Sequence, residues 1–161
     1  SESCQGKGIF MINDLERLKD HINFNDKAKM MNGQGYVVQR YIANPYLLDG
    51  LKFDLRLYVV VTSCSPLTIF WHKQGLARFA TLPYSVPSKV MKDVSQNVHL
   101  TNYAVNKDSE NFKISDEDIK AGISSKRTLE TVYNRLEKDG VDISLLKLKI
   151  ADLIIKTLIS I

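Results

Sequence analysis

The residues with the clearest chemical capacity lie between positions 36 and 63. Lys52, Asp54 and Arg56 alternate there with Phe53, Leu55 and Leu57. A β-strand turns alternate side chains to opposite faces. This spacing therefore predicts one apolar face and one face carrying cation, anion, cation in a row. A solvated sheet face of self-pairing charges would give the same pattern. The run that follows, residues 57–61, is apolar on both faces and predicts a central strand covered on both sides. Charges on a covered strand need a ligand or a partner.

Three further groups stand out. Arg78 sits in an otherwise apolar stretch, residues 75–80. Residues 97–107 mix apolar anchors with His99, Thr101, Asn102, Asn106 and Lys107. Such a row suits a polar ligand pocket, and suits a capped, irregular surface segment equally well. Gln5-Gly6-Lys7-Gly8 combines two glycines with a lysine. Bare backbone N–H groups can approach a phosphate in such a loop, although a plain turn before a strand is the default and the spacing is not that of a P-loop.

Two β-branched runs, residues 36–42 and 53–62, are separated by Asn44-Pro45 and Asp49-Gly50, which predicts two strands and a turn-rich connection. Ser65-Pro66 predicts a turn into 67–71 and an antiparallel hairpin with 57–63. Pro83 and Pro87 exclude regular helix around them. Near the start, Asn13 or Asp14 would cap a short helix on Leu15, Leu18 and Ile22, followed by a polar loop over 23–35. Residues 108–122 read as a charged loop with a short helix at 116–121. Ser124 or Ser125 would cap a helix over 126–138 that Gly140 stops. Asp142 or Ser144 would start another, with Leu146, Ile150, Leu153, Ile154, Thr157 and Leu158 as its apolar face. The predicted fold class is α+β. Its antiparallel sheet comes from the regions of Ile9, Tyr36, Phe53, Leu67 and Leu76, with two C-terminal helices on one face.

The 161 residues, 44% hydrophobic and 25% charged, can build the core of one domain or of a piece of one. No apolar run reaches the roughly 18 residues of a membrane-spanning helix. Cys4 and Cys64 are far apart and form no metal or redox pattern, which fits free thiols in a reducing compartment. The net charge of +4 suits an acidic partner. Aromatic and basic residues do not interleave as a nucleic-acid stacking platform requires. The chain opens in a Gly-rich loop and closes within a helical pattern, so a fragment of something longer is expected.

Taken together and in order, five stretches resemble one family. They are Ser3-Cys4-Gln5-Gly6-Lys7-Gly8-Ile9, Gln39-Arg40-Tyr41-Ile42, residues 49–56, Arg78-Phe79-Ala80 and His99-Leu100-Thr101-Asn102-Tyr103. The chain resembles the tubulin–tyrosine ligase-like amino-acid ligases of the ATP-grasp fold, the polyglutamylases in particular. The resemblance implies a partial ATP-grasp catalytic domain over residues 1–161, incomplete at both ends. It implies ATP and Mg²⁺, a target carboxylate activated as an acyl phosphate, and attack by the amine of an incoming glutamate.

Residue by residue, it implies Gln5 and Gly6 over the phosphates. Gln39, Arg40, Tyr41 and Ile42 would form the adenine edge. Lys52, Phe53 and Asp54 would serve the nucleotide, and Arg56 the transferred phosphoryl group. His99, Thr101 and Asn102 would also hold ATP. Arg78, Tyr103 and Lys126 would receive the amino acid, with Arg56 and Arg78 as the catalytic pair. The family's metal ligands, an Asp and a Glu-x-Asn set, are expected beyond residue 161, so none is assigned here and the piece alone is expected to be inactive. Its lysine upstream of the Gly-rich loop is also missing. Ala104 stands where some members carry serine, and Arg127 where the family has tryptophan. The implied partners are tubulin C-terminal tails and microtubules, with no nucleic acid and no membrane, for a monomer of the cytoplasm and cytoskeleton, or of the cilium or basal body. A tyrosine ligase or glycylase of the same family is the alternative. Outside it stands a non-catalytic basic module that binds acidic protein.

Overall fold

The computed structural model describes residues 9, 11, 12, 16, 37–87 and 96–160. The Gly-rich loop with Gln5 and Gly6, the short helix on Leu15, Leu18 and Ile22, the loop over 23–35 and Tyr36 lie outside the described residues. The chain divides into two units, Ser1–Asp54 with Arg78–Lys113, and Leu55–Ala77 with Ile114–Ile161. Two long strands, β2 (Leu51–Cys64) and β3 (Leu67–Phe79), contribute to both. Among the described residues the sheet has four strands in the order β1-β2-β3-β4, and the fold is the expected α+β class.

In the first unit β1 (Leu47–Leu48) pairs antiparallel with the start of β2, Leu47 opposite Lys52 and Leu48 opposite Leu51. The turn between them is Asp49-Gly50, both in the left-handed region at φ 55° and 73°. That is the two-residue hairpin geometry that Asp-Gly favours, because it matches strand twist. The Ala80 N–H donates to the Lys52 carbonyl at 2.8 Å, which sets the neighbouring residues of β2 and β3 against one another. Phe53 and Phe79 stack at 5.3 Å, and Leu48, Phe79 and Ala80 are buried. Two short helices follow, α1 (Gln96–His99) and α2 (Tyr103–Asn106).

Of the strand expected over 36–42, the described residues 37–42 take no strand assignment. Val37, Val38 and Ile42 are exposed. β-branched residues favour a strand only where a neighbouring strand and a packed face receive them, and the described residues provide neither. Ile9, Met11 and Ile12 carry no strand either.

In the second unit β2 and β3 form the expected hairpin around Ser65-Pro66. The regions of Leu67 and Leu76 belong to one continuous strand rather than two. Gly75 lies inside that strand because a neighbour comes too close for a side chain. A Cβ there would sit 2.5 Å from the Arg56 carbonyl oxygen and 2.6 Å from Leu129 Cδ1. α3 (Asp116–Lys120) starts in a capping box between Ser115 and Asp118.

The helix expected from Lys126 starts later. Lys126–Thr128 form β4, next to β3, and α4 runs Leu129–Lys138. Thr128 is its N-cap, accepting from the Thr131 N–H at 3.2 Å. Sheet pairing satisfies the backbone before the cap, so helix is not needed there. α4 buries Leu129, Val132 and Leu136 and stops before Gly140, at φ 85°. α5 (Ile143–Ile159) is capped by Asp142, which accepts from the Leu145 N–H at 2.9 Å. Leu146, Ile150, Ile154 and Leu158 on its predicted face are half-buried, while Leu153 and Thr157 are exposed. Covering of 57–61 on both sides also fails: Tyr58 and Val60 are each 55% exposed. A doubly apolar run needs two covering layers, and the described elements do not supply both.

Candidate active site

The site grows from the cross-strand register in the first unit. With Ala80 bonded to Lys52, Asp54 of β2 and Arg78 of β3 meet on one face. Arg78 Nε donates to Asp54 Oδ1 at 3.1 Å and Nη2 to Oδ2 at 2.6 Å. Their side chains keep 21% and 32% of their exposure. A two-point, partly desolvated pair of this kind is stronger and more directional than an exposed ion pair.

Lys52 precedes it on β2. Its Nζ donates to the backbone carbonyl of His99 at 2.9 Å. Burial lowers the lysine pKa, partly offset by the negative charge of Asp54. A cation stripped of part of its water is disposed to take an anion that restores the lost solvation.

His99 is wholly buried, at 0% exposure. Its ring meets Tyr41 and Tyr84 edge-on, each at 5.4 Å. Nδ1 and the Tyr41 hydroxyl share a hydrogen bond of 2.8 Å, whereas Nε2 is buried with no hydrogen-bond partner. Burial, then the positive charge of Lys52, lowers the histidine pKa, so the neutral ring is favoured. Burial pushes the Tyr41 phenol well above its ordinary range, with Tyr84 adding to the effect.

Thr101 is buried and Asn102 half-buried just beyond. Asn106 ties this segment down. Its Oδ1 accepts from the Thr81 N–H at 3.2 Å and from the Thr81 hydroxyl at 2.8 Å. Its Nδ2 donates to the carbonyls of Leu100 at 2.7 Å and Asn102 at 3.0 Å. Asn102 is the residue before α2, and its side chain makes no capping bond to that helix. Tyr103 is exposed and meets Phe112 edge-on at 5.7 Å.

Tyr41, Lys52, Asp54, Arg78, His99 and Thr101, from four separated stretches, thus belong to one unit. Gln39, Arg40 and Ile42 are exposed beside Tyr41 in sequence. Arg56 and Lys126 belong to the second unit and are exposed there. Gln5 and Gly6 lie outside the described residues. One contributor escaped the sequence reading, and the role of another was not visible in it. Tyr84 closes over His99 and donates its hydroxyl to the Ala43 carbonyl at 2.6 Å. Standing in a Pro-rich irregular stretch, it has no periodicity to mark it. Asn106 was visible only as one more polar residue in a row. The second unit also holds an apolar groove of about 860 Å³ along the β2–β3 hairpin, between Tyr58, Val60, Phe70 and Trp71. None of the expected site residues lines it.

An α+β arrangement of sheet and helices thus carries paired charges on adjacent strands beside a buried polar segment, and the family that the chain matches has an ATP-grasp-like fold. The chain matches the Tubulin-tyrosine ligase family over residues 1–161, and it belongs to that family. It is 44% identical over 98% of its length to the probable beta-tubulin polyglutamylase of Tetrahymena thermophila, of which it covers 12%. It is 43% identical over 98% of its length to tubulin polyglutamylase TTLL13 of Mus musculus, covering 17% of that protein. It is 44% identical over 98% to tubulin polyglutamylase TTLL6 of Homo sapiens, covering 16%. Across such relatives the chain spans between 11% and 20% of their lengths.

Proposed function

We propose that this chain forms the nucleotide- and amino-acid-facing part of a tubulin polyglutamylase, an ATP-dependent ligase that joins glutamate to the acidic tail of tubulin. The observation that carries the reading is the meeting of Lys52, Asp54, Arg78 and His99 in one unit of a chain so similar to named polyglutamylases. The residues present fit ATP. Lys52 is a half-buried cation, and His99 Nε2 is a buried polar atom without a partner. Bound ATP would supply the phosphoryl group that makes a carboxylate reactive toward an amine.

The chain's own residues would do the holding and orienting. Residues 37–42, outside any described strand, offer backbone N–H and C=O groups to a base, with Gln39, Arg40, Tyr41 and Ile42 around it. Lys52, with Phe53 and Asp54 beside it, neutralises phosphate charge. Thr101 and Asn102 contribute polar contacts from a segment that Asn106 holds rigid, and His99 stands behind them. Gln5 and Gly6 belong to the loop over the phosphates. Arg78 and Tyr103 face the incoming glutamate, while Lys126 and Arg56, which belong to the other unit, are given only the roles the family resemblance implies, toward the amino acid and the transferred phosphoryl group. The Mg²⁺ ligands are proposed, from the family resemblance alone, to lie beyond residue 161.

The net positive charge suits an acidic tail. Tubulin tails and microtubules are the proposed partners, in the cytoplasm and its cytoskeleton, the cilium and basal body included, and the working unit is a monomer. An arginine built to pair a side-chain carboxylate rejects glycine, which would leave it unpaired. Arg78→Ala in the full-length protein tests the reading. Glutamate incorporation into tubulin should be lost while the rise in melting temperature with Mg-ATP is kept. Undiminished glutamate transfer would overturn it.

A further inference from the structure

We infer that Asp54 is a positioning residue for the incoming amino acid, acting through Arg78, and not only a neighbour of the nucleotide. The inference rests on the function proposed above. Its ground is the two-point clamp itself. Arg78 carries five N–H donors in a rigid plane. Asp54 takes two of them, Nε at 3.1 Å and Nη2 at 2.6 Å. Three donors remain for a second anion, in an orientation that the first carboxylate fixes. An arginine side chain otherwise has several rotatable bonds, and ordering it on binding costs affinity. Held in advance, it meets a substrate carboxylate with that cost already met by the fold.

The clamp is built into the sheet and does not depend on a flexible loop. Asp54 and Arg78 come from adjacent strands, 24 residues apart in the chain. Phe53 and Phe79, the next cross-strand neighbours, stack on each other and hold the register. Buried Ala77 and Phe79 flank Arg78 along β3, so its strand has little freedom to shift. Charge balance points the same way. Asp54 sits between two cations, Arg78 by direct bonds and Lys52 by through-space attraction. Without it, Arg78 and Lys52 would repel, and Arg78 would be drawn toward whichever anion came first, phosphate included. With it, Lys52 is left to the nucleotide and Arg78 to the amino acid.

Asp54→Asn in the full-length protein tests this. Loss of a charge-assisted, oriented pair should raise KM for glutamate roughly 10- to 100-fold. KM for ATP should rise by a clearly smaller factor than KM for glutamate. In the Arg78→Ala background, where no glutamate transfer is expected, the same substitution should cost little further stability by denaturation, because Asp54 then has no guanidinium to orient. Asp54→Glu keeps the charge and should restore most of the glutamate KM. This conservative variant also decides the matter if Asp54→Asn melts below the assay temperature. A rise confined to the ATP KM would overturn the inference and make Asp54 a nucleotide ligand alone, and full additivity of the two stability losses would overturn it too. If the unsubstituted protein transfers no glutamate at all, the fault lies with the proposed function and not with the clamp. The melting shift and the Arg78–Asp54 coupling energy from denaturation then still report whether the pair forms.

Discussion

The Tyr41 hydroxyl and His99 Nδ1 lie 2.8 Å apart across 58 residues of chain, and their rings meet edge-on. This contact joins the 37–42 segment to the segment that carries His99 and Thr101, both buried. Tyr41→Phe keeps the ring and removes the hydroxyl, leaving Nδ1 buried without its partner. Stability should fall by about 1–3 kcal/mol, the cost of an orphaned buried polar group. Urea denaturation measures it directly. An unchanged midpoint would mean that His99 finds another partner at no cost.

His99 also makes stability depend on acid. Burial and the charge of Lys52 keep its pKa below the ordinary histidine value in the folded protein. The unfolded chain takes up a proton near pH 6.5, while the native ring resists it. Stability is therefore greatest above about pH 7 and declines as pH falls through about 6.5 toward the lower native value. Denaturation midpoints between about pH 8 and 5 should slope downward for the wild-type chain. His99→Gln, which does not titrate, should flatten that slope whatever it does to the midpoint itself.

Gly75 and Gly140 should differ in kind. Gly140 has φ 85° and nothing within 4 Å of a would-be Cβ. Alanine there meets only left-handed backbone strain, about 1–2 kcal/mol. Alanine at Gly75 would place its methyl 2.5 Å from the Arg56 carbonyl and 2.6 Å from Leu129. The strand and the first turn of α4 would have to part, at the upper end of the roughly 1–3 kcal/mol of overpacking or beyond. Thermal melts of both variants should rank Gly75→Ala below Gly140→Ala.

Asn106 holds two carbonyls and two Thr81 donors at once. Asn106→Ala strands these groups in a buried setting and should cost at least about 2 kcal/mol. The same change should weaken nucleotide binding, seen as a smaller melting shift with Mg-ATP. It should do so without touching any group that meets the ligand. A variant that melts lower yet keeps the full shift would separate the scaffold from the site.

How much of this was open to a reader of the chain alone follows from how far apart the deciding residues lie. Asp49-Gly50, the Asp142 cap, the Gly140 stop and the Ser65-Pro66 turn were legible because each depends on a few adjacent residues with special dihedrals or side-chain acceptors. The alternation of Lys52, Phe53 and Asp54 likewise announced a two-faced strand, and the ordered motifs pointed to the family. What stayed hidden depends on distant partners. Residues 37–42 have strand composition but no described strand beside them. Lys126–Thr128 has a helical neighbourhood yet pairs in the sheet, with Thr128 as the cap. Sequence could say that Asp54 and Arg78 were charged and that His99 was polar. Only the register of β2 against β3, and the closing of Tyr41 and Tyr84 over the imidazole, decided that the first two hold each other and that the third is buried. Local chemistry is written in neighbouring residues, whereas pairing and burial are settled by chain segments that meet only when the protein has folded.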